Sequence, residues 1–183
     1  MNFKYRNALL LAGLAIAAIS YASCRVSIPK GASAIKPFNK DRYLGKWYEI
    51  ARMDFKFEKN LKNVTATYSL NDDGSIKVDN KGYDYVKAKW KQSIGKAKFV
   101  GNDDFGRLKV SFFGPFYAGY NVIDIDSKYQ YALIAGNNLD YLWILSRTKV
   151  IPDDVKSSYL KKAQELGFKT DELVWTEQDK SEY

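Results

Sequence analysis

Cys24 is the only cysteine in the chain, and there is no histidine. Without imidazole the chain lacks the usual acid–base catalyst at neutral pH and the commonest metal ligand. A lone thiol can close neither a disulfide within the chain nor a multi-cysteine zinc site. Acid–base work would fall to carboxylates such as Glu49 and Asp124 and to the tyrosines, and their spacing declares no paired geometry. No catalytic residue, metal or cofactor is therefore expected. The position of Cys24 does suggest a use for it. Lys4 and Arg6 make a basic start, an apolar run follows from Leu9 to Ile19, and Ala22 and Ser23 are small residues just before the cysteine. That is the layout of a secretory signal peptide over residues 1–23. The run is too short to cross a bilayer, which takes roughly 20 apolar residues.

Removing that leader leaves about 160 residues, enough for one domain with a sizeable core. The net charge of +8 falls to +6 once Lys4 and Arg6 are gone. The lysines are scattered among acidic and apolar residues, not gathered in a stripe. No nucleic-acid partner is expected, and a basic surface near anionic lipid fits better. Residues 24–37 read as a polar, flexible tether, and residues 38–183 as the folded domain.

Short alternating segments separated by turn signals predict an antiparallel sheet. The segments are Gly45–Met53, Val64–Leu70, Ile76–Asn80, a pair at Trp90–Ser93 and Gly95–Val100, then Arg107–Phe113, Tyr120–Asp126, Tyr131–Ala135 and Tyr141–Arg147. Asn71-Asp72-Asp73-Gly74 is a hairpin turn. Pro152-Asp153-Asp154 opens a helix whose apolar residues are Val155, Tyr159, Ala163 and Leu166, and Gly167 ends it. A short last strand follows at Leu173-Val174-Trp175. Strands at regular spacing indicate a sandwich or a closed barrel.

This order, together with several motifs, resembles the lipocalin family. Gly45-Lys46-Trp47 is similar to that family's first-strand G-x-W signature. Arg147, in Ser146-Arg147-Thr148, matches its third conserved region, where the Arg lies across the Trp ring. The second region, usually T-D-Y, is partly present, with Asp126 and Tyr129 but with Ile125 and Ser127 replacing the Thr and the first Tyr. The resemblance spans roughly Phe38 to Trp175. It implies an all-β fold, an eight-stranded up-and-down antiparallel barrel with one C-terminal α-helix packed outside and a short final strand. Tyr21-Ala22-Ser23-Cys24 in turn resembles the lipobox of bacterial lipoproteins, in which the cysteine becomes the lipidated first residue. That implies a lipid anchor at Cys24 and a place on the outer membrane of a Gram-negative bacterium.

An eight-stranded barrel is just wide enough for one small ligand. Strand alternation, phased by the family's placement of Trp47 and Arg147 at the base, points Glu49, Ala51 and Met53 inward with Trp47. With registers taken from the family, the lining includes Ala66, Tyr68, Leu70, Ile76, Val78, Leu108, Val110, Phe112, Tyr120, Val122, Ile134, Tyr141, Trp143 and Leu145. Such a wall suits the acyl chain of a fatty acid or lysophospholipid, each CH₂ removed from water contributing about 0.8 kcal/mol. Glu49 is either a polar anchor for a headgroup or a hydrogen-bonded acid of the wall. Gly45, Trp47, Asp126 and Arg147 are expected to be structural. Storage, scavenging or transport of lipid in the envelope is the implied role. An envelope structural protein and a lipid-modifying enzyme on the same barrel are the alternatives.

Overall fold

The computed structural model describes residues 26–179; the leader and Cys24 lie outside them. A single helical turn, α1 (Lys40–Tyr43), precedes β1 (Gly45–Met53), β2 (Leu61–Leu70), β3 (Ile76–Asp84), β4 (Lys89–Phe99), β5 (Arg107–Ser111), β6 (Ala118–Ile125), β7 (Tyr131–Ala135) and β8 (Leu142–Ser146). Helix α2 (Asp153–Glu165), a 3₁₀ turn (Thr170–Glu172) and β9 (Leu173–Trp175) complete the chain. The strands from β2 to β8 pair in sequence order, β8 pairs with β1, and β1 returns to β2, which closes the barrel. Strand β9 adds outside, against Ala51, Arg52 and Met53. Every pairing is antiparallel.

Alternating side chains make two apolar clusters. One fills the lower barrel and includes Phe38, Tyr43, Trp47, Ile76, Leu108, Val122 and Ile134. The other lies outside, where Tyr159 and Ala163 of α2 pack on Ile123, Leu133, Leu142 and Ile144. The helix is held there by burial and by Lys162, whose Nζ donates to Asp124 at 2.7 Å and to the Ile123 carbonyl at 2.9 Å.

Three sequence expectations need correction. The segments at Trp90–Ser93 and Gly95–Val100 form one strand, β4, which pairs with β3 along Ala97 to Lys89. The strand runs on through Ile94 and Gly95, and Gly95 leaves a gap for a ring: a Cβ there would lie 2.8 Å from Phe112 and 2.9 Å from the Ser111 carbonyl. Residues 26–37 are not a free tether. Ser27 donates to Asn137 through both its N–H and its hydroxyl and accepts from Asn121, while Ile35 donates to Val122 and accepts from Gly106. Ile28 and Ala32 pack against the outer cluster and Ile35 against the inner one, so apolar residues spaced too irregularly to read as an element still bury. Finally, β1 carries a bulge between Glu49 and Ala51. One extra residue reverses the alternation. Ile50, Ala51 and Met53 therefore face the outer cluster, and Arg52 turns inward in their place.

Among the described residues no helix is long and apolar enough to cross a membrane.

Candidate functional site

The two ends of the barrel differ. At the end where α1 enters, Arg147 lies 3.8 Å above the Trp47 ring. Its guanidinium donates to the carbonyls of Lys46 (2.8 Å), Arg42 (2.8 Å), Tyr43 (3.1 Å), Leu44 (2.8 Å) and Tyr129 (3.3 Å). Trp47 is fully buried and donates its indole N–H to the Tyr43 carbonyl at 2.8 Å. Gly45 has φ +94°, and a Cβ there would sit 3.3 Å from the Arg147 guanidinium. Glycine is needed for both the backbone conformation and the close approach. Asp126 organises the β6–β7 turn, accepting from the backbone N–H groups of Lys128, Gln130 and Tyr131. This end is shut.

Above that floor, a chamber of about 70 Å³ is lined by residues including Glu49, Ala66, Tyr68, Val78, Val110, Phe112, Tyr120, Trp143 and Leu145. It shares the walls Glu58, Val64, Asn80, Val110, Phe112 and Trp143 with an outer chamber of about 510 Å³ at the opposite end. That outer volume is within the range of small-molecule sites. Its rim includes Phe55, Phe57, Phe113, Phe116, Tyr117 and Tyr141. The inner chamber ends on hydroxyls: Tyr120 shares hydrogen bonds with Tyr68, at 2.7 Å, and with Tyr43. Burial pushes the Tyr68 phenol up to about 12 and those of Tyr43 and Tyr120 well above their usual value. All three stay neutral at physiological pH.

A family described as a lipocalin-like domain matches residues 38–178. The chain belongs to the lipocalin family. It is 53% identical over 150 residues to the outer membrane lipoprotein Blc of Citrobacter freundii, covering 82% of this chain and 85% of that protein. With the Blc of Escherichia coli K12 it shares 50% identity over 171 residues, 93% and 97% of the two chains. Rat apolipoprotein D is 34% identical over 132 residues, 68% of each chain. Among solved structures, insecticyanin from Manduca sexta superposes with a TM-score of 0.67 at 18% identity, covering 86% of this chain and 89% of its own.

Most of the lining residues expected of a lipocalin barrel do face the chambers. Glu49, Ala66, Tyr68, Val78 and Tyr120 reach the inner one, Val110, Phe112 and Trp143 both, and Tyr141 the outer rim. Leu108 and Val122 do not. They point inward but are packed solid in the floor, 2% and 0% exposed, beneath the tyrosine hydroxyls. Leu70 is half-exposed at the end of β2.

Glu49 has partners within the wall. Its Oε1 accepts from Arg52 at 2.7 Å and from the Thr176 hydroxyl at 2.6 Å. The group sits in a seam, because β1 pairs with β2 only from Gly45 to Tyr48. Beyond Tyr48 the two strands part, and side chains replace the ladder. Arg52 reaches the Leu61 and Glu58 carbonyls, and the Gln178 amide bridges the carbonyls of Glu49 and Val64. Charges so buried are tolerable only when paired and hydrogen-bonded.

Sequence reasoning missed Arg52, Glu58 and Asn80. Glu58 lies on the β1–β2 loop, folded back so that Oε2 accepts the Trp143 indole N–H at 3.1 Å. Burial and the neighbouring Glu49 carboxylate push its carboxyl up to about 8, against the pull of Trp143 and Arg52. A clue existed for Arg52: Glu49 and Arg52 are three apart, so they share a strand face only if a bulge intervenes.

Proposed function

We propose that the barrel binds a single-chain lipid, a fatty acid or lysophospholipid, with the end of its tail in the inner chamber, the rest of the chain in the outer chamber and its polar group towards the mouth. The observation that carries this reading is the gradient along the cavity. The walls are aliphatic and aromatic at Ala66, Val78, Val110, Phe112 and Leu145, the far end is a neutral tyrosine cluster, and Lys81 stands at the outer chamber beside Lys91, which is paired with Asp84. An acyl tail gains about 0.8 kcal/mol for each CH₂ taken from water, and cations at the rim complement a carboxylate or phosphate. Cavity carboxylates are occupied in the wall, Glu49 by Arg52 and Thr176 and Glu58 by Trp143. This supports binding over catalysis.

The protein is an outer-membrane lipocalin of a Gram-negative bacterium, in keeping with its Blc relatives, and Cys24 is the residue that carries its lipid. Storage, scavenging or transport of membrane lipid follows from that place. The test is displacement of a fluorescent fatty acid from delipidated protein by saturated acids of increasing length. Affinity should rise with each CH₂ until the tail meets the Tyr68–Tyr120 floor. Flat affinity from short to long chains would overturn the interior site in favour of surface adsorption. Membrane fractionation of Cys24→Ser checks the anchor, because a protein left uncleaved or released from the envelope, with its barrel still folded, is expected, and cleaved protein that fractionates normally would refute it.

A further inference from the structure

Exposed apolar side chains are concentrated at the open end. Phe57 is 69% exposed, Phe113 71% and Phe116 72%, on the β1–β2 and β5–β6 loops that frame the mouth. The β3–β4 hairpin adds Tyr85 and Val86, and Tyr85 hydrogen-bonds to Asn60 beside the mouth. Apolar tips on adjacent loops mark a contact surface more than scattered exposure would. The same loops carry the exposed lysines Lys56, Lys59, Lys87 and Lys89. Their acidic residues are largely engaged: Asp54 and Glu58 lie beside Arg52, and Asp84 pairs with Lys91 at 2.8 Å. At the closed end the loop acids Asp73, Asp103 and Asp104 are likewise paired, with Lys96, Lys40 and Lys36, so what separates the two ends is the cluster of apolar tips at the mouth with lysines beside it.

A second observation sets the orientation. The described chain begins at the open end, where Ser27 is hydrogen-bonded to Asn137 of the β7–β8 loop, and Asn137 itself lines the outer chamber. From there it runs to the closed end, where Phe38 donates to Asp104. Cys24 is two residues before Val26, at most about 7 Å of chain. A lipid on Cys24 therefore enters the membrane beside the mouth, and the docked segment leaves little slack for the barrel to turn over.

We infer that the open end docks face-on to a bilayer containing anionic phospholipid, with Phe57, Phe113, Phe116 and Val86 dipping into the interface and the lysines against the headgroups. The inference rests on the anchored reading of Cys24 for its second argument and gives the ligand a dry path between bilayer and barrel. Aromatic and aliphatic side chains held this way sit about 5–10 Å into the headgroup–acyl boundary.

The test uses the full chain reconstituted in vesicles of phosphatidylethanolamine and phosphatidylglycerol. Gly114→Cys and Val86→Cys place spin labels at the mouth, and Asp72→Cys and Asn102→Cys place them at the closed end. Labels at 114 and 86 should become accessible to oxygen and protected from an aqueous relaxation agent, while those at 72 and 102 should stay in water. Raising phosphatidylglycerol should deepen the first pair only. Equal aqueous exposure at both ends would overturn the inference. So would spin–spin broadening between copies at 114 and 86 without lipid protection, which assigns the face to a second copy of the chain. An acylated Cys24 takes up no label. If the parent chain does label, the anchor reading fails separately, and the same comparison in a Cys24→Ser background still decides the docking. None of these depths depends on whether the cavity holds a lipid.

Discussion

Arg147→Ala is the sharpest perturbation of the closed end. The side chain donates five hydrogen bonds to carbonyls of α1, β1 and the β6–β7 turn. A hydrogen bond from a charged donor contributes about 1.5–3 kcal/mol, but water can reach part of a half-exposed site, so the sum is not recovered in full. The stack on Trp47 adds about 0.5–2 kcal/mol, and the aliphatic stem covers ring surface besides. The net cost should be about 3 kcal/mol, a fall in Tm of roughly 6–12 °C for a domain of this size. Arg147→Lys keeps a charge above the ring but cannot span five carbonyls at once, and should recover less than half. Urea titration followed by circular dichroism and tryptophan fluorescence measures both variants. A loss below about 0.5 kcal/mol, the level of an ordinary surface substitution, would refute the reasoning. So would a variant that melts normally yet binds no lipid, because the pair would then serve the ligand and not the fold.

Glu58 gives a pH dependence. Its carboxyl is raised from 4.5 to about 8 in the folded state, so the stability it contributes is complete below the ordinary value and drains away as pH rises through about 8. Glu58→Gln should flatten that part of the stability–pH curve and be the more stable protein at pH 9; parallel curves in chemical denaturation would contradict the assignment. Ala66→Trp should fill the inner chamber, weakening long-chain acids at least tenfold, about 1.4 kcal/mol, while Tm stays near the parent's. In a filled core the same change would instead cost about 1–3 kcal/mol of stability. Deleting residues 26–37 should lower stability by about 2–4 kcal/mol, because Ile35 leaves an apolar gap and Asn121 loses a partner; an unchanged melt would show that the segment is dispensable.

The barrel was legible because its signals are local. Alternation, turns and one capped helix gave the element order, and G-x-W with Arg147 gave the closed end. What was missed depended on single residues that break a period. The bulge at Ile50 inverts half of β1, so Ala51 and Met53 were placed inside and Arg52 was overlooked. Glu58 lies on a loop, where no period says which side chains fold back into a cavity. Leu108 and Val122 were placed on the correct face, but alternation does not say how deep the cavity runs. That depth is set by the hydroxyls of Tyr43, Tyr68 and Tyr120, which meet across three elements and leave no mark in the sequence. Residues 26–37 bury through isolated contacts of Ile28, Ala32 and Ile35, a pattern that composition reads as linker.

The central claim is that the cavity holds one acyl chain. Its most direct test is native mass spectrometry of the protein purified from its own membrane, followed by solvent extraction and identification of what is released. One single-chain lipid per barrel is expected, and its release should be reversed by adding the same lipid back to the parent but not to Ala66→Trp. A barrel that emerges empty, and that takes up no acyl lipid when offered one, would contradict the account.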